Sequence, residues 1–113
     1  ANDGVFMTHG SSIAPHQNSK IQLLRDSLRS VVDNSNMNLG GNISMTGDSH
    51  CDMTATLNVQ GRLINGVPPD RVCNKFSHGY TGRFIHVEQQ RGSRTKRFRK
   101  NWIKAINDID FTT

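Results

Sequence analysis

Two stretches of this chain contain side chains whose types and spacing could do chemistry. The first is FIHVE, in which His86 and Glu88 stand two residues apart. On a β-strand, residues two apart project from the same face, so an imidazole and a carboxylate would lie side by side. Such a pair can divide general-acid and general-base work, while nearby arginines hold a phosphate. His86 and Glu88, with Arg91 or Arg94 on the phosphate, are therefore a candidate set for phosphodiester cleavage.

This set resembles the one that small secreted ribonucleases of the microbial guanyl-specific type carry on an antiparallel sheet behind an N-terminal helix. The resemblance covers chain size, signs of secretion and the loose His, Glu and Arg constellation, and it implies RNA cleavage. Those enzymes have a second histidine near the C-terminus, whereas no histidine follows His86 here. His78 in SHGY could take that role if its loop folds over the sheet. The alternative is that His86 and Glu88 line the exposed side of an edge strand.

The second stretch is RGSRTKRFRKNW, where positive charge is concentrated. Half of the fourteen Lys and Arg residues lie between positions 91 and 104, and no carboxylate follows Glu88 until Asp108. Lysines spaced four apart repel each other on a helix, and cations near a helix N-terminus oppose the helix dipole. A docked anion would offset both costs. The candidate anion-binding residues are Arg91, Arg94, Lys96, Arg97, Arg99, Lys100 and Lys104.

The charge balance indicates what kind of partner to expect. A net charge of +5 and a sequence pI near 9.8 are typical of proteins that bind an anionic macromolecule, either nucleic acid or acidic polysaccharide, or an acidic protein surface. Aromatic residues are scarce and Trp102 is predicted to be buried, so binding would be electrostatic and tolerant of sequence. Two alternatives stay open: a solvated cationic face, and a structural or assembly component of an envelope or extracellular complex.

The two cysteines bear on compartment. Cys51 and Cys73, in a small domain of low hydrophobic content, predict one disulfide and an oxidising environment. The chain does not open with a basic patch and an apolar region, so no signal peptide is expected. Its start, ANDGVFMTHG, lacks an initiator Met, which suits a mature end left by signal cleavage and equally a trimmed chain. We therefore expect a secreted or periplasmic protein.

Metal, cofactor and membrane functions have little support in the sequence. The segment DSHCD lacks the paired CxxC or HxxxH spacing of structural zinc sites, so we expect no metal. No glycine-rich nucleotide loop occurs, and we expect no cofactor. No apolar run is long enough to span a bilayer. The metal-ligating residue types in DSHCD are Asp48, His50, Cys51 and Asp52.

Periodicity predicts the elements that position these residues. NSKIQLLRDSLRSVVDN is typical of an amphipathic helix with Asn18 or Ser19 as its N-cap. Four segments alternate or are rich in strand formers: NISMT, MTATLNVQGRL, RVCNKF and GRFIHVEQQ. A second helix is predicted from about Ser93, with the cations opposite an apolar stripe. That stripe contains Phe98, Trp102, Ala105, Ile106 and Ile109.

The predicted fold is therefore α+β. It consists of an N-terminal amphipathic helix, a small antiparallel sheet of three to four strands, a C-terminal basic amphipathic helix and one disulfide. The polar region 1–18 is interpreted as an N-terminal arm, and 19–113 as a single domain.

Overall fold

The computed structural model describes residues 3–11, 13–35, 42–48, 56–77 and 79–110. The chain is α+β, as predicted, but its sheet is not the one expected. In the described residues, short 3₁₀ turns occupy Pro69–Arg71 and Arg91–Arg94. The longer elements are β1 (Asp3–Thr8), α1 (Lys20–Ser35), β2 (Asn42–Met45), α2 (Val59–Ile64), β3 (His86–Gln89) and α3 (Lys96–Asn107).

The sheet has the order β2-β1-β3, with β1 parallel to β2 and antiparallel to β3. The prediction of an antiparallel sheet is therefore wrong. Parallel neighbours need a crossover between them, and α1 supplies it. Strand β1 lies in the region that we interpreted as a polar arm. Its apolar part is only Val5, Phe6 and Met7, a run too short to stand out from the polar residues around it.

Helices α1 and α3 pack against each other and cover one face of the sheet. The predicted amphipathic helix forms as α1, and its Ile, Leu and Val residues at positions 21, 24, 28, 31 and 32 are buried. Ser19 accepts a hydrogen bond from the Gln22 N–H at the start of the helix. In α3 the buried positions are Phe98, Asn101 and Ala105, while Ile106 is 44% exposed. The core consists of Val5, Met7, Ile21, Leu24, Leu28, Val31, Val32, Ile43, Met45, Phe98 and Ala105.

Two of the predicted strands do not form where the structure describes them. In MTATLNVQGRL, α2 begins after Asn58, whose side chain accepts the Gly61 N–H at 3.0 Å; residues 53–55 lie outside the described part. Leu57 and Leu63 are 75% and 46% exposed, so the alternating pattern marks no buried face. RVCNKF continues from a 3₁₀ turn into further turn and irregular structure.

Gly61 allows a close contact between α2 and an aromatic ring. A Cβ added at Gly61 would lie 2.8 Å from the Phe84 ring, inside van der Waals distance. Backbone–ring packing at this distance requires glycine, because any side chain would displace the ring. The glycine therefore lets α2 lie directly against the segment that leads into β3.

The predicted disulfide is also wrong. Cys73 is an exposed free thiol, and Cys51 lies outside the described residues. The cysteine argument for an oxidising compartment no longer holds, so secreted or periplasmic localisation stays a prediction. Over the described ranges, no helix combines the length and the apolar character that crossing a bilayer requires.

Candidate anion-binding site

The basic stretch is held on a rigid frame of buried neighbours. The Ser93 side chain is 1% exposed, and its hydroxyl lies 2.9 Å from the Gly4 carbonyl oxygen and 2.8 Å from that of Gln90. Thr95 caps α3 by accepting the Phe98 N–H at 3.1 Å. The Phe98 ring is fully buried in the core. The turn before α3 and the first turn of the helix are therefore fixed to β1 and to the sheet.

All seven cations predicted to bind an anion are exposed, and we call them the basic face: Arg91, Arg94, Lys96, Arg97, Arg99, Lys100 and Lys104. Lys104 forms an ion pair with Asp108, with 3.2 Å between Nζ and Oδ2. Within the described part of the chain, the side chains of the other six make no ion pair or hydrogen bond. The basic face is thus a solvent-facing surface whose charge the fold leaves almost uncompensated.

A groove of about 280 Å³ opens where β3, the Arg91–Arg94 turn and α3 meet. Trp102 lines it, although the sequence predicted this residue to be buried. Part of the indole packs against the core, and its Nε1–H donates to Gln89 Oε1 at 3.0 Å. No periodicity distinguishes a buried tryptophan from one at the rim of a core, so this surface could not be predicted from the sequence. The lining residues are Gln89, Ser93, Arg94, Thr95, Arg99 and Trp102.

His86 and Glu88 lie side by side on β3, with 3.7 Å between Nε2 and Oε1. Their side chains are 39% and 47% exposed, and β3 is an edge strand. Gln89 projects into the groove, so His86 and Glu88 project from the opposite face of β3. In the described ranges, no hydrogen bond or ion pair joins Arg91 or Arg94 to this pair. His78 lies outside the described residues.

The DSHCD segment has one described member, Asp48. Its carboxylate lies 2.7 Å from Arg25 Nη1 and 3.4 Å from Arg29 Nη2. Asp48 was predicted only as a possible metal ligand, and its pairing with arginine is not evident from the sequence because neither arginine is near it in the chain. His50, Cys51 and Asp52 are outside the described part.

A buried polar cluster lies at the end of β1, in the region predicted to be a polar arm. Thr8 and His9 are 3% and 2% exposed, and among the described residues Thr8 Oγ1 and both His9 ring nitrogens have no hydrogen-bond partner. Burial lowers the pKa of His9; the Ile13 backbone opposes the shift without completing a hydrogen bond. The Tyr80 ring covers the imidazole, with 4.4 Å between ring centroids. The cavity there is only about 10 Å³, too small for more than one water.

No family model, curated protein or solved structure matches this chain. Its function must therefore be inferred from its own surfaces. Among those described, the basic face combines the most unbalanced charge with a groove, and it is the strongest candidate for a binding site.

Proposed function

We propose that this protein binds a polyanionic macromolecule through the basic face. One observation carries the proposal: the side chains of six of the seven cations of the basic face are exposed and unpaired within the described residues. They lie in the turn before α3 and on α3, which has no acidic residue in its first turn. Lys96 and Arg97 occupy that turn, where the helix dipole disfavours positive charge. A bound polyanion offsets both the dipole term and the repulsion between neighbouring cations.

The charge arrangement favours an extended anion over a single small one. The cations begin in the turn before α3 and continue to Lys104, near the last turn of the helix. Spread over this length, they match a row of phosphates or sulfates better than one compact group. Each phosphate contact releases counterions, so affinity for nucleic acid should depend steeply on salt.

The test is a salt series with two variants of equal net charge. Replacing Lys96, Arg97 and Lys100 with Gln should lower the slope of log affinity against log salt by roughly 3, since each lost phosphate contact removes about 0.9. The control variant replaces three exposed cations outside the basic face: Arg71, Lys75 and Arg83. It should leave the slope almost unchanged.

Equal weakening in both variants would overturn the proposal, because it would show that only net charge matters. Anionic lipid vesicles belong in the same series, since Ile103 and Ile106 are 54% and 44% exposed on α3. Tighter binding to vesicles than to nucleic acid or heparin would also contradict it. RNA integrity after incubation tests the ribonuclease hypothesis: loss of RNA that His86→Ala abolishes would favour cleavage.

A further inference from the structure

The groove beside Trp102 bears on which class of polyanion the basic face binds. We infer that the basic face takes single-stranded nucleic acid, with one base stacked on the Trp102 indole and neighbouring phosphates on Arg94 and Arg99. This inference rests on the proposed function, because it requires a polyanion on the basic face. It adds a recognition element that charge alone does not supply.

The indole is set up as a stacking platform. It packs against the core and also lines the groove, so core contacts hold it in place before any ligand arrives. The Gln89 bond fixes it further: the indole nitrogen only donates, so Gln89 must present its carbonyl oxygen to it. The two amide N–H groups of Gln89 are then left for the groove, where they can donate to a base edge.

The remaining groove residues divide into structural and charged groups. Ser93 and Thr95 use their hydroxyls on backbone groups of this chain. Arg94 and Arg99 are exposed, have no ion-pair partner in the described part, and meet no carboxylate among the lining residues. Guanidinium groups bind phosphate oxygens in a bidentate manner. An indole face beside two such groups matches a nucleotide unit.

The same geometry disfavours the competing polyanions. Acidic polysaccharides supply charge, but their sugar rings have no π face and contact an indole only through C–H groups. In a duplex the base faces are covered by their neighbours, so stacking on a side chain requires unpaired bases. The groove volume, about 280 Å³, lies at the lower end of small-ligand pockets and suits one base. Single-stranded nucleic acid therefore matches both the charge of the basic face and the size of the groove.

Trp102 is the only tryptophan in the chain, so its fluorescence reports on the groove directly. We would titrate the protein with an oligothymidylate of about ten nucleotides, within the usual site size, and with an abasic oligomer of equal length. Thymidylate should quench Trp102 and bind about tenfold more tightly, since one stacked base contributes roughly that factor. Equal affinities would overturn the inference and leave the proposed function standing. Absence of binding by both oligomers would overturn the inference, and if heparin also failed to bind, the proposed function would be overturned as well.

A pair of charge-matched variants gives a second test that leaves the core intact. One replaces Arg94 and Arg99, in the groove, with Gln; the other replaces Arg97 and Lys100, outside it. Both variants should lower the affinity for the abasic oligomer by similar factors. Only the groove variant should reduce the preference for thymidylate over the abasic oligomer. We expect a reduction of about threefold or more, because the base no longer stacks correctly on the indole. The same preference in both variants would contradict the inference.

Trp102→Leu completes the series. It should reduce the thymidylate preference to about one while heparin binding stays unchanged, because heparin uses only the cations. Since Trp102 also packs on the core, the unfolding midpoint is measured in parallel. A folded Trp102→Leu protein that keeps the tenfold preference would overturn the inference.

Discussion

Helices α1 and α3 pack side by side over one sheet, and both present basic residues, yet their charges are handled in opposite ways. Arg25 of α1 is paired with Asp26 at 2.9 Å and with Asp48 at 2.7 Å. The Arg25 and Asp48 side chains are only 12% and 16% exposed. On α3 the cations face solvent, and in the described part only Lys104 has an acidic partner.

The two arginines of α1 are part of the fold. Asp48, which binds both Arg25 and Arg29, also accepts the Met45 N–H at 2.8 Å, and Arg29 Nε donates to the Ile43 carbonyl at 2.8 Å. These bonds fasten α1 to β2 and to the turn after it. Where charge stabilises this fold, the chain thus supplies a carboxylate or carbonyl for it. The chain has nine acidic residues, and none lies between positions 91 and 107, which indicates that the charge on α3 serves another purpose.

The largest effect should come from breaking the α1 arrangement at Asp48. Asp48→Ala removes the carboxylate of Arg29 and the more buried of the two carboxylates that pair with Arg25, and it leaves the Met45 N–H without its acceptor. Lost charged hydrogen bonds at partly buried sites cost about 2–3 kcal/mol in unfolding free energy. Urea unfolding measures this loss, and polyanion affinity of the folded variant should stay at the wild-type value.

Asp26→Ala is the matched control for Asp48. It removes the other partner of Arg25, but Asp26 is 54% exposed and solvent replaces it. Its cost should stay below about 1 kcal/mol, as for most surface ion pairs. If the two variants lose equal stability, the distinction between paired structural charge and solvated charge fails on the α1 side.

Acid pH should lower the free energy of unfolding through His9. This residue lines a small cavity with Lys20 and Ile21 at the start of α1. Burial lowers the pKa of His9, so the unfolded chain, with its histidine near 6.5, binds the proton more readily than the folded chain. The free energy of unfolding should therefore fall as pH decreases below about 6.5, through the folded-state pKa. Unfolding midpoints between neutral and mildly acid pH measure the effect.

The matched control uses the exposed His16. His9→Gln should remove this part of the pH dependence, whereas His16→Gln should retain it. A wild-type midpoint that does not change on acidification would show that His9 accepts a proton without cost, and that the burial of its unpartnered nitrogens is not maintained.

The contrast between the two helices also explains what the sequence could predict. Both helices are long enough for a 3.6-residue period to appear, and their buried faces were largely foreseen. The sheet was not predicted correctly. Strand β1 has only three consecutive apolar residues, and it pairs with two strands that are distant from it in the chain. In LNVQGRL the Asn58 side chain caps a helix, and the alternating apolar residues that predicted a strand are exposed.

The site shows the same division between local and long-range information. The seven cations form a single stretch, so composition alone located the basic face. The groove depends on which side of α3 meets Gln89, and the Arg25–Asp48 pair joins residues 23 positions apart. Arg62 is a further case: it is 5% exposed and donates to the carbonyls of Thr56 and Val72, which no sequence pattern indicates. Sequence patterns located charge here but not its partners.

The smallest effect on stability should come from removing charge on α3. The sign of this change distinguishes cations that hold the fold together from cations that do not. Lys96→Gln with Lys100→Gln deletes an i,i+4 repulsion and two cations from the N-terminal half of the helix, at little cost in helix propensity. The free energy of unfolding should rise by about 0.3–1 kcal/mol, while polyanion affinity falls. Lys104→Gln, which loses the Asp108 ion pair, should instead be neutral or slightly destabilising. A clear loss of stability in the double variant would mean that the α3 cations, like those of α1, hold the fold together.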